Sequence, residues 1–203
     1  TRRKAAMNWQ RLDRDNTLKT IDSVKSVSEA ALFSPATSEV QRARLPFYDS
    51  LSLYKITNFA SLPSFTFEYV GDGKFFHYLD GTEQPIYAAN DKGELSLNDR
   101  TVIDYIEFFL GHVMLEDDEM AFIRDPRDMP LLDSLDPDSA YILQKNHTPP
   151  AVSYDAGFDR YTVEADIYSE GQMLRAIIEV SASGRVSITS RKMIVNAVGS
   201  GIM

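Results

Sequence analysis

The 203-residue chain contains no cysteine, which removes disulfides, thiolate catalysis and Cys-ligated zinc or iron–sulfur centres from consideration. Histidine is nearly as scarce. The three copies, His77, His112 and His147, are spaced too widely for a helical metal motif such as H-E-x-x-H. No apolar run approaches the roughly 20 residues of a membrane-crossing helix, and no signal-peptide core stands out. A glycine-rich phosphate loop is missing too, since Gly71-x-Gly73 lacks both the lysine and the following helix. There is no G-x-S-x-G elbow for a serine hydrolase. Basic charge is also in short supply. The formal net charge of −9 argues against nucleic acid, whose phosphates need a concentrated basic surface.

What is present is an ordinary globular composition, 43% hydrophobic and 25% charged, enough for one substantial core or for one core with a small subdomain. The charge is uneven. Within the first 20 residues Arg2, Arg3, Lys4, Arg11, Arg14 and Lys19 face only Asp13 and Asp15. A basic arm on an acidic body suits a neighbouring segment, an acidic partner or an anionic membrane surface. The plain alternative is a solvated terminus. Arg2, Arg3, Trp9 and Arg11 are the candidate partner-binding residues, because Trp beside Arg is a common interface pairing. Thr1 reads as removal of an initiator Met before a small residue, or as loss of an upstream segment.

The chain is organised around Asn98–Met114, the longest stretch with clean helical spacing. Val102, Ile106, Phe109 and Val113 form one stripe, with Ile103, Leu110, Met114 and Tyr105 beside it. Arg100, Asp104, Glu107 and Gly111 fall opposite, so the helix is expected to cover a sheet with one side wet, aided by an Arg100–Asp104 pair. Ser96 with Asp99, or Asn98 alone, supplies the cap. Earlier, Leu18, Ile21, Val24 and Val27 predict a helix from Asn16 to about Phe33. Ser34-Pro35 then predicts a second, short helix through Leu45.

Beyond Phe47 the period shifts to two. Leu53–Phe59, Ser64–Val70 and Lys74–Leu79 predict strands, with Gly71-Asp72-Gly73 as a hairpin turn, and Pro85–Ala88 continues them. After the helix, Met120–Arg124 reads as a strand, Met129–Leu135 as a short helix and Ala140–Gln144 as a strand. These last two lie inside an irregular, proline- and aspartate-rich stretch, 125–157. The chain closes with a meander over Arg160–Tyr168, Gln172–Ser181 and Arg185–Arg191. The expected fold is α+β: a mostly antiparallel sheet in two strand blocks, one helix (about 98–114) packed on it, and an N-terminal helical extension. The expected division is 1–46, the basic arm and helices, and 47–203, one α+β domain with an alternative split near 125–157.

Tyr78-Leu79-Asp80-Gly81-Thr82 resembles the D-x-D-G-T motif of haloacid-dehalogenase-type phosphatases over these few residues alone. Tyr78 stands where that family has its nucleophilic aspartate, and a tyrosine forms no aspartyl phosphate. The segment is therefore read as turn chemistry. His112 and Glu116, four apart at the helix end beside Asp117 and Asp118, are candidate catalytic residues. So are Glu164 and Asp166, which share a strand face at i,i+2, the spacing of an acid/base pair. A cation site at His112 is the lesser reading, beside a packed histidine, and no metal or cofactor is assigned. The aromatic-rich block makes Phe65, Phe67, Tyr69, Tyr105 and Phe108 candidate walls for a small apolar ligand, with plain core packing as the alternative.

Taken together, these readings predict a cytoplasmic, non-enzymatic binding or assembly module, meeting an unidentified protein partner or a second copy of itself. A hydrolase using carboxylate and histidine acid–base chemistry is one alternative. Peripheral membrane attachment through the basic arm is the other, and the weaker.

Overall fold

A computed structural model describes residues 7–28, 32–115, 118–129 and 132–196. The protein is α+β, with two antiparallel sheets, and the chain divides into two compact units that meet in sequence at Ser96/Leu97. No helix among the described residues is long and apolar enough to cross a membrane.

The first unit is built on a sheet in simple sequence order: β1 (Gln10–Arg11), β2 (Ser38–Arg44), β3 (Ser52–Asn58), β4 (Phe65–Gly71) and β5 (Phe76–Tyr78). Helix α1 (Arg14–Val24) begins where the Asp13 carboxylate accepts the Asn16 amide at 2.8 Å, satisfying a backbone donor that the helix leaves free. Its Ile21 and Val24 pack with Phe33, Val40, Tyr54, Ile56, Tyr69 and Phe76 into one core. Ala43, Leu53 and Val70 point to the other sheet face and are buried as well, so both faces are covered. Helix α2 (Gln84–Asn90) packs against β4 and β5.

The second unit is centred on β8 (Arg160–Ser169). On one side it pairs with β9 (Gln172–Ser181), which in turn pairs with β10 (Val186–Asn196). Its other edge is shared. β7 (Ala151–Asp155) runs along Arg160–Glu164, and β6 (Ala121–Ile123) runs along Asp166–Tyr168. The β8–β9 turn has Glu170 and Gly171 at φ 46° and 82°, the left-handed pair that a two-residue hairpin requires. Helix α3 (Thr101–His112) packs against β6 and buries Val102, Tyr105, Ile106 and Phe109. The Tyr105 hydroxyl donates to the Gly184 carbonyl at 2.6 Å. Helix α4 (Pro137–Asn146) contributes Leu143 to a cluster with Ile123, Met129 and Met173.

The first helix, expected from Asn16 to about Phe33, ends at Val24, where residues 25–28 turn away, and three further segments take another element type than expected. Residues 38–44, expected as part of a helix, are β2. Ser34 and Pro35 form a turn, with the Thr37 amide on the Ser34 carbonyl at 3.1 Å, and seven ladder pairs to β3 from Ser38 to Arg44 outweigh local preference. Pro85–Ala88, expected as strand, lies in α2, because proline fits a first helical turn and the alanines that follow favour a helix. Ala140–Gln144, also expected as strand, lies in α4. Asp136 caps that helix through the Asp138 and Ser139 amides, with Pro137 just inside it.

The cap of α3 is Asn98, whose side chain accepts the Arg100 and Thr101 amides, while the Thr101 hydroxyl accepts the Asn98 amide. The wet side of α3 is drier than expected. Asp104 and Glu107 both take the Arg124 guanidinium, at 2.8 and 2.6 Å.

Candidate functional site

In the second unit a buried network gathers around Asp166, whose side chain has no solvent exposure. Arg175, directly opposite on β9, donates from Nε to Asp166 Oδ1 at 2.9 Å. The Thr148 amide donates to Oδ2 at 2.8 Å, and His147 Nδ1 lies 3.0 Å from the same oxygen. A carboxylate only accepts, so Nδ1 carries the proton. Arg175 Nη2 also reaches the Thr148 hydroxyl at 2.8 Å and the Asn146 carbonyl at 3.1 Å. The end of α4 and the approach to β7 are thus tied to β8 and β9 through one carboxylate.

A histidine oriented by an aspartate is half of a hydrolytic triad. Here the ring is almost wholly enclosed, and among the described residues no hydroxyl is hydrogen-bonded to its other nitrogen. What the arrangement does chemically is neutralise a buried charge and fix a chain crossing. Removing one partner would strand the other, a situation that costs about 3–5 kcal/mol.

Glu164, two residues from Asp166 and on the same face, is exposed and stands outside this network. His112 turns back on its own helix: Nδ1 donates to the Phe108 carbonyl at 2.7 Å, and the ring lies 4.5 Å from that of Phe108. Glu116 and Asp117 lie outside the described residues, and Asp118 accepts the Ser169 hydroxyl. Among the described residues no three His, Cys, Asp or Glu side chains group as metal ligands. Asp80 accepts the amide and hydroxyl of Thr82 at 2.9 and 2.7 Å, a closed turn. His77, on β5, is half-buried, and burial followed by the charge of Lys92 holds its pKa below the ordinary value.

The aromatic candidates are divided between the units. In the first, Phe65 packs tilted and Phe67 edge-on against Phe33, and Tyr69 is fully buried with its hydroxyl 2.7 Å from that of Ser28. In the second, Tyr105 and Phe108 are core side chains of α3. Of the arm, Arg2 and Arg3 lie outside the described residues. Trp9 lies beneath Lys55 Nζ at 4.3 Å, and Arg11 pairs with Glu39 at 3.1 Å, so both are engaged within the first unit.

A polar groove of about 440 Å³ lies on the first unit, lined by none of the candidate residues that the sequence marks. Asn8 and Gln10 of the arm, Arg42 and Arg44 of β2, and the loop Tyr48–Ser52 line it. Gln10, Arg42 and Tyr54 are direct cross-strand neighbours, as are Arg44 and Ser52. Arg42 and Arg44 therefore share one sheet face. Both are exposed, and neither has an ion-pair partner among the described residues. Asp49 shares the groove without pairing to either. Tyr48 and Leu51, both buried, contribute from the protein interior, and Tyr48 is anchored there by donating to Asn90 Oδ1. No protein-family model, curated protein or solved structure matches the chain.

Proposed function

We propose that the chain is a non-enzymatic binding module and that the groove of the first unit is its ligand site. The observation that carries this reading is the pair of guanidinium groups, Arg42 and Arg44, that stand without an ion-pair partner among the described residues on one wall of a 440 Å³ recess lined mainly by polar side chains. Fork-shaped donors without a protein carboxylate are suited to an oxyanion from solution. The volume falls within the roughly 300–1,000 Å³ range of small-molecule sites. The buried Asp166 network supports a positioning role better than a catalytic one, since each of its groups already has a protein partner. A cytoplasmic setting belongs to the same proposal.

The test is a thermal-shift titration of the full chain with phosphate, citrate and phosphorylated metabolites, alongside the Arg42→Ala/Arg44→Ala variant. A ligand that binds only the folded state at 100 times its Kd adds about 2.7 kcal/mol, an easily measured rise in Tm. A saturable rise that disappears in the double variant supports the reading. No rise with any anion, or the same rise in both proteins, overturns it.

A further inference from the structure

The same groove has enough chemistry on its walls to name a ligand class, provided that it is the binding site proposed above. We infer that its ligand is a phosphate monoester of a small hydroxylated compound, a sugar phosphate in chemical class. Arg42 and Arg44 are alternate residues on one face of β2, about 7 Å apart along the strand. The nearest acidic residue on their strand, Glu39, is already held by Arg11, so two guanidinium groups are open to one guest, with Asp49 the carboxylate among the lining residues. A phosphate monoester carries about −1.5 to −2 at pH 7 and matches that pair. A single carboxylate or a phosphodiester offers fewer anionic oxygens to the two forks.

The rest of the groove selects what hangs from the phosphate. Asp49 is acceptor-only when ionised, so it turns away a second anionic group and welcomes a hydroxyl donor. Asn8 and Gln10 offer both donors and acceptors, and Ser50 and Ser52 offer hydroxyls. The apolar surface is confined to Leu51 and the Tyr48 ring, too little to seat a nucleobase or an acyl chain. A polyanion is disfavoured by Asp49 and by the net charge of −9.

Calorimetric titration of the full chain with glycerol 3-phosphate, ribose 5-phosphate, glucose 6-phosphate, inorganic phosphate, AMP, citrate and unphosphorylated glucose tests this. At least one of the three sugar or polyol phosphates should bind about tenfold more tightly than inorganic phosphate, the worth of one or two added hydrogen bonds to a charged group. Glucose should give no heat. Arg42→Ala/Arg44→Ala should cost about a hundredfold, tenfold for each charge-assisted contact. Asp49→Asn should erase the preference over inorganic phosphate without weakening inorganic phosphate itself. Arginine-dependent binding of phosphate or citrate with no gain from any sugar or polyol phosphate overturns this inference and leaves the binding-module reading standing. Tightest binding by AMP does the same. Absence of binding by every anion overturns both.

Discussion

In the second unit Arg124 lies against Asp104 and Glu107, Arg160 against Glu179, and Arg175 against Asp166. In the first, Arg42 and Arg44 stand on a sheet face with no carboxylate claimed among the described residues. Both units are five-stranded antiparallel sheets flanked by short helices, so the difference is not one of architecture. It is a difference between these arginines, three held by carboxylates and two left available, since the first unit has its own Arg11–Glu39 pair. A guanidinium consumed by a buried carboxylate fixes backbone segments far apart in sequence. One left without an acceptor contributes little to stability and retains its capacity for a guest.

The sharpest test of this contrast is Asp166→Ala. It leaves Arg175 and the Thr148 amide without their acceptor in an enclosed site, and should cost about 3–5 kcal/mol, read from urea unfolding at pH 7. A loss below about 1 kcal/mol would mean that water replaces the carboxylate and that the network is ornamental. Gly71→Ala should come next, at about 1–3 kcal/mol. A Cβ there would sit 2.4 Å from the Phe75 carbonyl oxygen and 2.6 Å from the Phe76 ring, forcing the β4–β5 hairpin apart. A stability equal to the wild type would show that this hairpin adapts freely.

A smaller effect is expected from pH. Because His77 has a lowered pKa when folded, the unfolded chain takes up its proton at a higher pH than the folded one. The stability that the neutral ring supplies is complete above about pH 6.5 and is lost as pH falls through the folded value. His77→Gln should flatten the stability curve in that window, and an unchanged curve would assign the slope to other groups. Smallest of all, Arg42→Ala/Arg44→Ala should leave stability within about 0.5 kcal/mol of the wild type. If it costs as much as Asp166→Ala, the distinction between spent and available charge collapses.

Much of the fold is written in local pattern. The α3 stripe of Val102, Ile106 and Phe109 and the alternating meander after Arg160 carry their own periodicity, and both elements are present. The three segments whose element type differs are those where proline and small residues suit more than one structure. Pro35 serves a turn as readily as a helix start. Pro85 and Pro137 open helices that a reading by residue type takes for extended chain. The candidate site is less legible in the sequence for a related reason. On a helix Arg42 and Arg44 diverge by about 200°, so an expected helix hides the pair that a strand brings together. Asp166 is visible as a strand carboxylate, but its partner His147 is 19 positions away, a separation that only the tertiary fold closes.

The two-residue strand β1 pairs only with Gln41 and Arg42, so among the described residues the β1–β2 ladder stops short of Arg44, which is exposed at the end of β2. An open sheet edge invites another chain to add as a further strand, and fixed positive charge at such an edge discourages it. Arg44, beyond the reach of β1, places such a charge at the end of the strand. An anion seated in the proposed groove would neutralise that charge at the strand end.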